Sequence, residues 1–184
     1  DEKFHFKMTM FNSNFIQGFF VPKNISKCLN FNGALGTEKK ITFRSSWEEI
    51  FCNFCDSQES VKSWGNEIIK IPYYSTIDNK SHVYITDFIM EVINRKGESV
   101  RYIVEIKPDS QSEHLNKAGD LIYPDPPKRK TQKSLSNWQD RCMVIRRNHE
   151  KWQMARKWCS EHGFIFKVVN EKDLDLLIKH VGGK

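Results

Sequence analysis

The sequence predicts an α/β domain built in the order helix, three strands, helix, strand, with a mixed sheet flanked by helices and an irregular arm ahead of it. Three observations predict it. A helical apolar stripe starts near Ser46, three stretches rich in β-branched and aromatic residues follow, and a long amphipathic helix then leads into a last apolar strand. The arm covers residues 1–40 and the domain 41–180. A chain of 184 residues with 39% hydrophobic content suits one domain with a sizeable core.

In the arm, Phe4, Phe6, Phe11, Phe15, Phe19, Phe20 and Phe31 are scattered among polar residues without a period. So many exposed rings are unfavourable, so the arm is expected to pack back on the domain. The first helix is expected from Ser46, with Ser46 and Glu49 as a capping box. Trp47, Ile50, Phe51, Phe54 and Cys55 then keep the spacing of one buried stripe. At about 100° per residue Glu48 lies on the flank of that stripe and Glu49 points away, which leaves Glu49 to the cap and Glu48 free to reach along the sheet.

Strands are expected over 66–74, 82–93 and 101–107, joined by the turn-like Asp78-Asn79-Lys80 and Arg95-Lys96-Gly97-Glu98 into an antiparallel meander. Residues 108–137 have little periodicity and include the extended basic run Tyr123–Lys130. A helix over 137–161 carries Trp138, Ile145, Trp152 and Cys159 on one stripe, so Trp138 and Trp152 read as core and not as a stacking platform. Arg146, Arg147, Glu150, Gln153 and Lys157 take its other side. Gly163 is the expected C-cap, 164–169 a strand parallel to 101–107, and 171–179 a closing helix.

Asp87, Glu105 and Lys107 interrupt segments that otherwise read as buried strand. Such charges are costly unless paired or bound to metal. Positions i and i+2 share a face, so Glu105 and Lys107 project together, and a neighbouring strand can bring Asp87 beside them. Two carboxylates suit a hard divalent ion such as magnesium, with manganese as a substitute. A lysine at their edge orients or deprotonates water, or offsets charge on a phosphate under attack. The chemistry suggested is phosphodiester hydrolysis. Glu67 also sits on a strand, but its place at the strand start favours solvent.

A net charge of +6 fits a polyanionic partner. The basic cluster Lys128, Arg129, Lys130 and Lys133, with Arg146 and Arg147 on the helix, supplies candidate contacts to a duplex DNA backbone. No run approaches the ~20 apolar residues that cross a bilayer, and the start lacks a signal-peptide apolar core, so a soluble, intracellular protein with no membrane partner is expected. The missing initial Met suggests a processed end, with Met8 or Met10 as a natural start. Five cysteines, with a lone Cys-x-x-Cys at Cys52 and Cys55, read as buried free thiols and not as disulfides or a zinc site.

Asp87 followed by Glu105-x-Lys107 resembles the PD-(D/E)XK nuclease superfamily, with Ile85-Thr86 in place of the residues that normally precede the Asp. The order of predicted elements is that superfamily's restriction-endonuclease-like core. More closely, Phe43-Arg-Ser-Ser-Trp-Glu48, Phe54-Cys55-Asp56, Ile71-Pro-Tyr73, Asp87-Phe88, Val104-Glu-Ile-Lys-Pro108 with Gln111, and Lys151-Trp152 with Ala155-Arg156 resemble the head completion nucleases of T-even-type bacteriophages. The resemblance implies a magnesium-dependent DNA endonuclease with Asp87 and Glu105 as metal ligands, Lys107 as catalytic lysine and Glu48 as a helix carboxylate of the site. It implies no organic cofactor, action in the host cytoplasm or on the virion, and phage portal or head proteins as further partners. Two other duties stay open. One is a transposon-end, junction-resolving or restriction-type nuclease, and the other a structural head or neck protein docked on the portal.

Overall fold

The computed structural model describes residues 17–31 and 41–181, with backbone alone for 178–181. Phe4, Phe6, Phe11, Phe15 and the final Gly182-Gly183-Lys184 lie outside these residues. A short ribbon comes first: β1 (Gly18–Phe20) pairs antiparallel with β2 (Ile41–Phe43). A side chain at Gly18 would run into the ring of Phe43, so the close approach requires glycine there. Between the two strands, Asp56 of the following helix accepts the backbone N–H groups of Lys23 (2.9 Å) and Asn24 (3.0 Å). The Asn30 amide bonds both the N–H and the C=O of Asn66. Phe20 packs edge-on to Trp64, and Cys28 and Phe31 are buried. The described part of the arm therefore packs back on the domain, as expected.

Helix α1 (Ser46–Ser57) is capped one residue earlier than the sequence suggests: Ser45 Oγ accepts the Glu48 N–H at 3.2 Å. Glu48, not Glu49, completes the cap, taking Ser45 Oγ–H on one oxygen (3.1 Å) and the Arg44 N–H on the other (2.9 Å). Paired serines and paired glutamates satisfy the capping pattern in two phases, and packing selects one. Phe51, Cys52, Cys55 and Asp56 are the buried residues of α1, which puts Glu48 on the packed side, one turn before Cys52. Cys52 and Cys55 are free, fully buried thiols, and burial pushes both well up.

The main sheet has four strands in the order β3-β6-β7-β8. Strand β3 (Val61–Asn66) pairs antiparallel with β6 (Phe88–Ile93), and β6 with β7 (Ser99–Ile106). Between β3 and β6 the chain makes a separate two-stranded hairpin, β4 (Lys70–Ser75) and β5 (Lys80–Ile85). The strands expected over 66–74 and 82–93 are thus each broken, and the strand at 61–66 precedes the first. The cause is a bend shared by both arms of one long hairpin. Glu67 turns to φ +51°, its N–H bonds the Asp87 carbonyl (2.9 Å), and the Thr86 N–H bonds the Ile69 carbonyl (3.1 Å). Beyond the bend, β4–β5 leaves the main sheet and packs on the second helix.

That helix, α2 (Gln132–His162), starts five residues earlier than expected, at a box in which Thr131 and Ser134 exchange side-chain-to-backbone bonds. It ends at Gly163 in the left-handed region, φ +71°, as expected. Ile145, Asn148, Trp152, Ala155 and Cys159 are its buried face. Trp152 is core, whereas Trp138 is half-buried and gives its indole N–H to the Pro124 carbonyl (2.8 Å). Strand β8 (Ile165–Val169) then lies parallel to β7, completing the crossover, and α3 (Glu171–Val181) closes the chain.

Two cores sit on opposite sides of the sheet. Phe51, Cys55, Val61, Trp64, Phe88, Val104, Ile106 and Leu174 fill one, under α1 and α3. Ile71, Tyr73, Tyr84, Trp152 and Ala155 fill the other, between α2 and the β4–β5 hairpin. The mixed sheet flanked by helices is the architecture the sequence predicts.

Candidate active site

The bend between β5 and β6 positions Asp87. Phe88 stands opposite Val104, so one step back along the register puts Asp87 beside Glu105. The Asp87 carboxylate accepts the Ile106 N–H at 2.7 Å, and its carbonyl takes bonds from the Glu67 N–H and the Asn66 amide, so the residue is held at three points. Alternation along β7 turns Val104 and Ile106 into the α1/α3 core and Glu105 toward α2. Glu105 is only 2% exposed, and its Oε2 accepts the hydroxyl of Tyr84 at 2.5 Å. Lys107 follows on the same side, with Nζ 3.9 Å from Glu105 Oε1. The expected trio is brought together.

Electrostatics show a site short of positive charge. Burial holds the Asp87 carboxyl well above the usual carboxylate range, the adjacent Glu105 adds to this, and Glu48 adds again; the Ile106 N–H and Lys107 oppose. Tyr84 is pushed well up by burial, then by the Glu105 charge, so it stays a hydroxyl donor. Asp87 and Glu105 fit magnesium, which keeps several waters and takes one or two carboxylates together with phosphate oxygens.

Glu48 reaches the rim of this site while capping α1, since its charge is felt at Asp87. Arg44 sits beside it: its guanidinium pairs with Glu67 and is also held charged by Glu48 and Asp87. Glu67 is therefore at the rim and paired, not simply facing solvent. Sequence reasoning gave no role to Arg44, Tyr84 or Lys151. Lys151 lies on α2 with Nζ 4.9 Å from the centre of the Tyr84 ring, within the field of Glu105, Asp87 and Lys107. Its sequence signals are its place next to the core residue Trp152 and its presence among the residues that carry the resemblance to the head completion nucleases.

The basic residues fall into two groups. Lys128, Arg129, Lys130 and Lys133 are exposed, at the end of the long loop and the first turn of α2. Eighteen residues of helix at 1.5 Å each put Lys133 about 27 Å along the axis from Lys151, so this cluster is not beside the carboxylates. The loop is stapled to α2 through Arg141 to the Ser110 carbonyl, Asn148 to the Gln111 carbonyl, and His149 and Arg156 to Glu113. Arg146 donates to Thr76 Oγ1 (2.7 Å) and pairs with Glu150, tying α2 to the tip of the β4–β5 hairpin. Arg147 is exposed.

Comparison with known proteins gives the family. A curated relative, the head completion nuclease of Enterobacteria phage T4, is 29% identical over 160 residues, covering 87% of this chain and 94% of that protein. The family described as TnsA-like endonuclease N terminal matches residues 58–171, a span that contains Asp87, Glu105, Lys107 and Lys151. The chain belongs to this TnsA-like endonuclease family, and its helix-flanked mixed sheet is the family's restriction-endonuclease-like fold.

Proposed function

We propose that the protein is a magnesium-dependent DNA endonuclease that hydrolyses phosphodiester bonds during phage head completion. The observation that carries this is the pairing of Asp87 with the buried Glu105 at the sheet bend, with Lys107 at its edge. Nothing in folding calls for that trio, because a buried like-charge pair is destabilising until a cation joins it. Asp87 and Glu105 would hold the ion. When bound, it supplies positive charge against the charge that develops on the phosphate.

The protein groups do the rest. Tyr84 fixes one oxygen of Glu105, leaving the other to face Lys107. Lys107 orients the attacking water. As the water oxygen bonds to phosphorus and gives its proton to solvent, the bond from phosphorus to the sugar oxygen breaks, and the leaving oxygen takes up a proton from solvent. Glu48, anchored by its two capping bonds, would help hold the ion or its water from the rim. Lys128, Arg129, Lys130, Lys133 and Arg147 contact the duplex backbone away from the cut. Arg146 reaches DNA only by giving up its bonds to the hairpin.

The match across nearly the full length of the phage T4 relative favours head completion, and with it the host cytoplasm and portal or head proteins as site of action and partners. The family match favours a second duty, cleavage at transposon ends. Cutting of supercoiled, linear and branched duplexes with magnesium, manganese or EDTA tests both. Cutting of plain linear duplex supports the first, cutting confined to particular ends supports the second, and no cutting with either metal rejects the nuclease reading.

A further inference from the structure

Lys151 is a half-buried ammonium with no carboxylate within ion-pair distance among the described residues. Its contact is the face of Tyr84, whose hydroxyl is bonded to Glu105. A cation–π contact of this kind contributes about 0.5–2 kcal/mol, less than the several kcal/mol that desolvating an ion can cost. Burial indeed pulls the Lys151 pKa down, with Lys107 and Arg147 adding to the effect and Glu105 and Asp87 opposing it. Packing alone gives no reason for a charge where a methionine fills the same space.

Substrate chemistry gives one. Lys107 approaches Glu105 from the end of β7, and Lys151 approaches from α2 across the Tyr84 ring, so two ammonium groups flank one carboxylate pair from different elements. Asp87, Glu105, Lys107 and Lys151 cancel formally, and Glu48 at the rim adds one further negative charge. A divalent cation and the dianionic phosphorane of a hydrolysis transition state cancel as well. Without Lys151, Glu48 and one of the two ligand carboxylates are left uncompensated when negative charge on phosphorus is greatest, and electrostatic stabilisation in such a site is worth about 10²–10³-fold per donor.

We infer that Lys151 is a second catalytic lysine, which contacts a non-bridging oxygen of the scissile phosphate from the α2 side, opposite Lys107. The inference rests on the nuclease reading above. It assigns α2 a direct part in the chemistry, beyond carrying the core residue Trp152.

The test uses the full chain as Lys151→Met, Lys151→Arg and Lys151→Ala, with Lys107→Ala alongside. Single-turnover cutting of saturating duplex in magnesium should fall about 100-fold in Lys151→Met and recover in part in Lys151→Arg. Added methylammonium should restore part of the Lys151→Ala rate, which a packing role would not allow. In EDTA, the slope of log affinity against log salt should flatten by about 0.9 in Lys151→Met, the loss of one phosphate contact. Should Lys151→Met fail to fold, Lys151→Gln takes its place with the same expectations. A folded variant that cuts within about threefold of the parent and keeps its salt slope overturns the inference. If Lys107→Ala is dead in that experiment, the nuclease reading survives alone; a parent chain that cuts nothing takes both down.

Discussion

The two faces of strand β7 differ in kind. Val104 and Ile106 enter a core of aromatic and aliphatic side chains with Phe51, Phe88 and Leu174. Glu105, between them, enters the opposite face and meets Tyr84, Asp87 and Lys107. Neighbouring residues of one strand thus serve stability and chemistry in alternation. The apolar face holds the sheet still, so the carboxylates on the other face stand where they do without a scaffold of their own. The α2 face gives up stability for this, since a charge removed from water costs several kcal/mol unless compensated.

The largest expected effect lies on the charged face. Asp87→Asn, Glu105→Gln and Lys107→Ala should each lower single-turnover cleavage by about 10³-fold or more, and double variants should add little, because the groups act as one unit. A Lys107→Ala protein with full activity would break the contrast. Stability should move the other way. Asp87 has a folded pKa raised above its unfolded value, so its contribution is fully present below the ordinary carboxylate range and is lost as pH rises through the folded pKa. At pH 7 without metal, Asp87→Asn should therefore melt higher than the parent, and the gap should close as the pH is lowered below the unfolded value. Magnesium should raise the melting temperature of the parent and do so less in Asp87→Asn.

Next comes the apolar face. Phe88 is fully buried with its ring 4.8 Å from that of Phe51, so Phe88→Ala should lose about 3–5 kcal/mol in urea unfolding. Per folded molecule, measured well below the melting temperature, cutting should persist within a few-fold. A variant that stays folded but is dead would mean that the two faces are not separable.

Much of this division is legible in the sequence. The helix-flanked mixed sheet and the parallel last strand follow from periodicity, the shared face of Glu105 and Lys107 from the i, i+2 rule, and the place of Asp87 beside them from pairing with a neighbouring strand. The bend at Glu67–Ile69 and Thr86–Asp87 is not legible, because β-branched and aromatic residues run straight through it; it is defined by which carbonyls the Glu67 and Thr86 N–H groups find across the hairpin. The sequence shows no role at the site for Tyr84 or for Lys151, although Lys151 stands among the residues of the family resemblance, for a related reason. A tyrosine on a strand and a lysine beside a core tryptophan are ordinary packing residues until a third element places both on Glu105.

The cap of α1 gives a smaller test at the rim of the charged face. Ser45→Ala should lose about 1 kcal/mol, and Glu49→Ala almost nothing, because the Ser45 and Glu48 pair makes the cap bonds. Glu48→Gln keeps one acceptor oxygen for the Arg44 N–H and an NH2 that can donate to Ser45 Oγ, and should melt near the parent while cutting far more slowly. If Glu49→Ala unfolds more easily than Ser45→Ala, the helix phase is wrong, and Glu48 loses its claim on the site.

The last contrast is between the two basic groups along α2, and its expected effect is the smallest per residue. Lys128, Arg129, Lys130 and Lys133 are exposed and form no ion pair among the described residues, whereas Arg146 is tied to Thr76 and Glu150 at the hairpin tip. If the exposed group holds phosphates, replacing all four by Ala should flatten the slope of log affinity against log salt by up to about 0.9 per contact, equally for unrelated sequences. Cutting at saturating DNA should change little, because the cluster lies about 27 Å along the helix from Lys151, some eight base pairs of duplex at 3.4 Å each. Arg146→Ala should do the reverse, lowering stability by about 1–2 kcal/mol through the lost tether while leaving the slope alone. Fluorescence anisotropy with calcium in place of magnesium reads both variants over a salt series. An unchanged slope in the fourfold variant would assign the cluster to a protein partner, and a flattened slope in Arg146→Ala would mean that the hairpin tether opens when DNA binds.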